Sequence, residues 1–339
     1  MSLLLPDVVA LAIMLALTIY ALMGGADFGG GVWDLFARGP RAEAQRRLIA
    51  DALTPIWEAN HVWLVFVIVV LFTCFPPAFA RLAIVLHVPL ALMLVGIVLR
   101  GAAFTFRAYD PGGDVVQRRW GRVFSVASVV TPVLLGIVVG AVASERVVPP
   151  SGSFADGYIR PWLTPFALSV GALALALFAF LAAVYLTLET TDASLADDFR
   201  RRALLAGAAV AAAALLALAF SGEAAPRVRA GLTTDAWAVP LHLNALAAYA
   251  VTLWALWRRR FTLARLGAGA VTVLVLWGWA LAQYPYLVPP DLDIASAAAP
   301  PIVLKLVLIA VLCGGLILIP SLWYLFRVFK RAPARETTG

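Results

Sequence analysis

The chain is 339 residues long, 63% hydrophobic and only 13% charged, with a mean hydropathy of +0.93. No ordinary soluble domain covers that much apolar surface with so little charge, so composition alone points to a membrane protein. The formal charge of +7 would suit nucleic acid, but the placement of the basic residues described below excludes that partner.

The N-terminus has no positively charged leader, and its first apolar segment, 8–27, continues into polar-decorated helix, so it reads as a retained span and not a cleaved signal peptide. That span ends M-G-G-A-D-F-G-G-G-V-W-D-L-F over 23–36. Its glycines would let another helix approach closely, with Gly25 and Gly29 forming a small-xxx-small pair. Asp27 lies within that packing face and should point at protein, not lipid. Asp34, one to two turns further on, is expected at the membrane interface. Residues 41–53 place apolar side chains at helical spacing among charges, which predicts a short helix lying on the membrane surface.

The next stretch, Pro55 to Trp63, reads P-I-W-E-A-N-H-V-W and opens an apolar run to Phe75. Thr54 suits an N-cap with Pro55 at the first helical position, which places Glu58 near the positive end of the helix dipole. Trp57, Glu58 and His61 share one helical face, and Asn60 and Trp63 flank it. Two readings of Glu58 stand side by side: a helix-cap carboxylate in the headgroup region, or a buried proton-handling group. Burial would raise its pKa and the dipole would lower it, so the sequence leaves its protonation state open.

Nine apolar runs are long enough to cross ~30 Å of hydrocarbon: 8–27, 57–76, 80–100, 122–143, 162–186, 203–220, 237–257, 265–284 and 302–326. With nine spans, twenty of the lysines and arginines fall on one side and five on the other, and Lys305 alone lies inside a span. The positive-inside rule then puts the N-terminus outside and the C-terminus in the cytoplasm. The connections are too short to hold a soluble core, and Tyr284–Pro290, Y-P-Y-L-V-P-P, suits an outer interfacial loop. There is no Walker loop, HExxH or G-x-S-x-G. Cys74 and Cys313 sit in apolar runs without ligand spacing and read as buried thiols, neither metal ligands nor a disulfide.

Arg100 closes the third span on the basic side, where Asp27 and Glu58 also lie. It could hold Asp27 ionised and leave Glu58 free to exchange protons, or it could snorkel to the headgroups. His87 and His242 lie in the outer halves of their spans, and no histidine or methionine spacing suggests a haem-ligand pair.

Taken together, G-A-D-F-G-G-G-V at 25–32, P-I-W-E-A-N-H-V-W-L at 55–64, R-G-A-A-F-T-F-R at 100–107, W-G-R-V-F with T-P-V-L-L-G-I-V-V-G at 120–140, P-F-A-L at 165–168 and Y-P-Y-L-V-P-P at 284–290 resemble subunit II of the cytochrome bd quinol oxidases. The resemblance runs over essentially the whole chain. It implies an all-α integral membrane protein in one polytopic domain, 1–339: a first four-helix bundle over about 1–143, then a second with one peripheral helix over about 144–339. It also implies a partner, subunit I, carrying the b- and d-type haems and the quinol site in a bacterial cytoplasmic membrane. No haem is assigned to this chain, and a structural quinone and small accessory subunits stay open. Asp27, Glu58 and Arg100 match the family's positions. Glu58 is the longer acid where Asp is common, and Thr105 stands where the family's third-span motif carries an acid.

Two functions follow. In the first, the chain stabilises the haem subunit and passes protons from the inner side through Glu58, Asp27 and His61, with Arg100, Trp57, Asn60 and Trp63 as structural partners. In the second, it is a proton- or cation-coupled transporter whose Asp27/Glu58 site binds the ion, although broken midplane helices and inverted repeats are not evident.

Overall fold

In a computed structural model, residues 5–53, 57–109 and 113–329 are described. The side chains of Trp57 and Glu58, and the Thr54–Pro55 cap, lie outside that set. The helices are α1 (Leu5–Leu35), α2 (Ala42–Leu53), α3 (Trp57–Cys74), α4 (Pro76–Val85), α5 (His87–Tyr109), α6 (Gly113–Ala143) and α7 (Phe154–Tyr158). They continue with α8 (Pro165–Leu186), α9 (Ala193–Ala224), α10 (Pro226–Thr234), α11 (Ala238–Trp257), α12 (Phe261–Gln283) and α13 (Pro301–Phe329). Strands β1 (Tyr286–Val288) and β2 (Leu292–Asp293) pair antiparallel before α13, with Tyr286 opposite Asp293 and Val288 opposite Leu292. No strand was expected in that loop.

Eight of the described helices are long and apolar enough to cross a membrane, and the chain is a multi-pass membrane protein. The second and third expected spans differ in detail. Asn60–Cys74 and Pro76–Val85 are bent by 117°, so 76–85 is a separate short helix and the next long helix starts at His87 rather than residue 80. The cause is local: Pro76 and Pro77 follow Phe75, and a residue before proline is pushed out of the helical region, here to φ −135°, ψ 59°. The same device recurs at Ala225, φ −145°, ψ 64°, before Pro226. The order long helix, short Pro-initiated helix, long helix, long helix therefore appears twice, as α3–α6 and as α9–α12. Helices α1 and α8 lead the two halves and pack against each other.

Two further boundaries move. Helix α1 runs on through its glycines to Leu35, and α9 begins at Ala193, so Arg200, Arg201 and Arg202 sit on a helix and not in a loop. The surface helix expected over 41–53 forms as α2. It is tied to α9 by Arg41, whose guanidinium lies 2.6 Å from the Asp198 carboxylate.

The α1–α8 seam shows why the glycines are there. A Cβ on Gly29 would lie 1.9 Å from the Phe178 carbonyl oxygen, and one on Gly25 would lie 2.6 Å from the Phe178 ring. Glycine costs helix propensity, but it lets the backbones touch where lipid gives no hydrophobic drive to associate. The largest buried cluster forms around this seam, with Tyr20, Phe28, Phe178, Phe180 and Leu181 at its centre. Helix α13, by contrast, contributes little buried surface. Cys313 is exposed on it, against the expectation of two buried thiols, whereas Cys74 is buried.

The two ends of the bundle are closed differently. One carries α2, the α8–α9 turn and the α11–α12 turn, joined by Arg41–Asp198 and Arg259–Asp197 contacts. The other carries α4, α10 and the hairpin. There Arg81 bonds Asp291 at 3.1 Å, while Arg227 reaches Glu145 at 3.3 Å and lies 4.1 Å over the Tyr286 ring.

Candidate functional site: a buried polar cluster at the α1–α5 contact

The site is built where the glycine-rich half of α1 meets α5 and α6. Arg100, on α5, is 1% exposed, and Asp27, on α1, is equally buried. Arg100 Nη2 lies 2.7 Å from Asp27 Oδ1 and donates also to the Asp27 carbonyl at 3.2 Å, while Nε donates to Ser128 Oγ at 3.0 Å. The guanidinium is sandwiched between Phe28 and Phe124, 4.8 and 4.9 Å from their centroids. Arginine suits this position because its planar group can stack on rings and donate in several in-plane directions at once. Snorkelling is thereby excluded: Arg100 is an interior residue.

Such a pair survives burial because each charge cancels the other and the remaining donors find acceptors. The Ser128 hydroxyl shows how completely: it accepts from Arg100 and donates to the Phe124 carbonyl at 2.7 Å. Gly31 makes room for it, since a Cβ there would lie 2.1 Å from Ser128 Oγ.

Four buried atoms in the surrounding helices have no protein partner among the described residues: Asp27 Oδ2, Asn60 Oδ1, His61 Nδ1 and Thr131 Oγ1. Asn60 is wholly buried and its amide nitrogen reaches the Met23 carbonyl, one turn from Asp27, at 3.5 Å. The His61 ring lies 6.2 Å from Tyr20 and 6.0 Å from Phe28. Thr131 stands one turn from Ser128 and faces Gly96, itself one turn from Arg100. Unpartnered buried polar atoms cost free energy, and ordered water is the ordinary means of satisfying them.

Of the site residues expected from sequence, the structure brings together Asp27, Arg100, Asn60 and His61. Trp63 is half-buried and packs instead against the large apolar cluster. Trp57 and Glu58 occupy the first turn of α3, with side chains outside the described set. Asp34 is buried against protein, accepting from Ser125 Oγ at 2.8 Å. Sequence reading missed Ser125, Ser128 and Thr131, all buried on α6. Their three-residue spacing in S-V-A-S-V-V-T places them along one helical face and was the available signal.

The other polar residues stand apart. His87 Nδ1 lies 2.9 Å from the Ile84 carbonyl, and His242 Nδ1 lies 2.7 Å from that of Ala238. Thr105 is exposed, its hydroxyl donating to Gly101 within its own helix at 3.1 Å, and Lys305 is exposed on α13. Among the described residues no three His, Cys, Asp or Glu side chains converge to hold a metal ion.

A sequence model of the cytochrome bd terminal oxidase subunit II family matches residues 5–329. This chain belongs to that family. It is thus a subunit of a quinol oxidase, an oxidoreductase. A Bacillus subtilis protein with the provisional name cytochrome bd menaquinol oxidase subunit II is 22% identical over 325 residues, 92% of each chain. Subunit 2 of the Escherichia coli K12 cytochrome bd-I ubiquinol oxidase is 25% identical over 183 residues, 50% of this chain and 45% of that one. Among solved structures, the bd oxidase from Geobacillus thermodenitrificans superimposes with a TM-score of 0.79 over 96% of this chain and 98% of that one, at 24% identity. That likeness shows the fold. Membership of an oxidase family decides against the free-standing transporter.

Proposed function

We propose that this chain is the non-haem subunit of a bd-type terminal quinol:oxygen oxidoreductase, that it stabilises a haem-bearing subunit I, and that it delivers protons from the cytoplasmic side for reduction of O2 to water. In this reading the b and d haems and the quinol site belong to subunit I, where the haems supply the oxygen chemistry. The chain crosses a bacterial cytoplasmic membrane nine times, α3 being the ninth crossing, with the N-terminus outside and the C-terminus inside. Its two halves form four-helix bundles, with α13 peripheral.

The observation that supports a proton role is the half-satisfied Asp27 carboxylate. Oδ1 is locked to Arg100, while Oδ2, together with Asn60 Oδ1 and His61 Nδ1, has no protein partner among the described residues. A wholly structural ion pair would have its lone pairs filled by protein donors. Here Arg100 holds the carboxylate in place and leaves one oxygen to water. Glu58 sits three residues before His61, on the same helical face, and is the exchangeable carboxylate that feeds the cluster.

Glu58→Gln keeps shape and hydrogen bonding but cannot release a proton. The purified complex should keep its normal haem spectrum yet lose oxygen-coupled turnover by roughly a hundredfold, the scale of a lost general acid–base group. Wild-type turnover with normal proton uptake across the neutral range would reduce Glu58 to a helix cap.

A further inference from the structure

We propose that the turn between α11 and α12 binds the phosphodiester headgroup of an anionic phospholipid. An open hollow of about 460 Å³ lies at this turn, lined by Leu188, Arg259, Arg260, Phe261, Thr262 and Leu263. Arg259 takes the left-handed conformation, φ 58°, where glycine usually ends a helix. The chain therefore reverses sharply, and α12 starts beside the hollow with no side-chain cap on its first turn.

The charge around the hollow is one-sided. Arg200, Arg201 and Arg259 all share the single carboxylate of Asp197. Arg258, Arg260 and Arg265 have no carboxylate within ion-pair distance among the described residues. They lie instead over the rings of Trp257, Trp254 and Tyr185, at 5.5, 5.3 and 4.9 Å. Three of these six arginines thus share one acid, Asp197, and the other three have none within ion-pair distance among the described residues. Arg260 lines the hollow and Arg258 and Arg265 flank it in the chain; the rings hold these guanidiniums without neutralising them, and Trp254 and Trp257 are exposed, as side chains at headgroup level are.

The lining also chooses between sources of phosphate. Leu188, Phe261 and Leu263 give the hollow an apolar wall, and exposed Leu266 continues it along α12. A free, fully hydrated phosphate gains nothing from that wall, whereas a lipid places its phosphodiester among the arginines and its chains against the leucines. The uncapped first turn of α12 adds backbone N–H donors of the kind that favour an anion. None of these residues belongs to the Asp27–Arg100 cluster, so the inference stands apart from the proton reading.

The test uses the purified two-subunit complex in nanodiscs of phosphatidylcholine carrying a minor fraction of phosphatidylglycerol, with retained lipid counted by native mass spectrometry. Wild type should retain phosphatidylglycerol in preference to phosphatidylcholine. The exposed triple variant Arg258→Gln/Arg260→Gln/Arg265→Gln should cut that preference by roughly tenfold or more, since each arginine near an anionic headgroup contributes a factor of about five before screening. The corresponding triple lysine variant should restore most of it. Equal retention of both lipids by wild type, or an unchanged preference in the glutamine variant, would overturn the proposal. So would protection against thermal unfolding by millimolar inorganic phosphate equal to that given by phosphatidylglycerol, which would mark a site for the free anion.

Discussion

If Asp27 and Arg100 act as one buried unit, their substitutions must be strongly non-additive. Asp27→Asn keeps an oxygen for Arg100 to donate to but leaves the guanidinium charged in a fully buried position. Three acceptors would remain to it: the new amide oxygen, the residue-27 carbonyl and Ser128 Oγ. Arg100→Met leaves the carboxylate buried with no cation, and Asp27 Oδ2 is already without a partner among the described residues. Removing one member of a buried pair costs about 3–5 kcal/mol. The asparagine variant should fall at the lower end because its hydrogen bonds survive. The double variant Asp27→Asn/Arg100→Met carries no buried charge and should cost at least about 2 kcal/mol less than the sum of the singles. The assay is thermal or denaturant unfolding of the purified complex, read together with the yield of assembled, haem-loaded complex. Single variants should depress both, and the double variant should recover part of each. If the losses simply add, the two residues do not form an energetic unit and the pair has no claim to anchor the site.

Gly29→Ala should be more damaging than its size suggests: its methyl group would lie 1.9 Å from the Phe178 carbonyl, so α1 and α8 must separate at a cost of roughly 1–3 kcal/mol. Gly30→Ala, whose nearest contact would be the flexible end of Leu53 at 3.0 Å, should be far milder in the same unfolding measurement. At the hairpin, hydrogen bonds from Arg81 hold the Asp291 carboxyl below its ordinary pKa, with the charge of Arg81 adding to the effect. A carboxyl depressed in the folded state stabilises above its unfolded pKa and loses that contribution as pH falls through the lower, folded value. Stability should therefore drop below about pH 4 by no more than about 1 kcal/mol for so exposed a pair. Asp291→Asn should abolish that acid-dependent part, and an unchanged acid profile in the variant would argue against the latch. For topology, a reporter active only in the cytoplasm should give signal when fused at Gly339 and none when inserted in 221–236; the opposite pattern would overturn the proposed orientation.

Much of the architecture was legible because the physics involved is local or compositional. Apolar length alone marks the long helices, and Arg41–Leu53 showed its amphipathic spacing without any tertiary information. The family resemblance rested on short motifs, and the match over residues 5–329 agrees with it. Asp27 was expected to face protein because it lies among glycines that only a close helix contact explains, and the structure seats it there.

What the sequence could not settle depended on which helix faces which. Arg100 could be read as a snorkelling residue or a buried one, since either fate suits an arginine at a span end. Only the convergence of α1, α5 and α6, with Phe28 and Phe124 closing over the guanidinium, made it an interior cation. The burial of Asp34 was not legible for the same reason: α1 continues as helix to Leu35 and Ser125 of α6 comes to meet it. Cys313 was expected to be buried because it lies in an apolar run, yet hydropathy does not distinguish lipid from protein as a neighbour. The serines of α6 escaped notice because a small hydroxyl can satisfy itself on its own helix. Ser128 accepts from Arg100 and Ser125 donates to Asp34 only once long-range packing has brought the base and the acid to them.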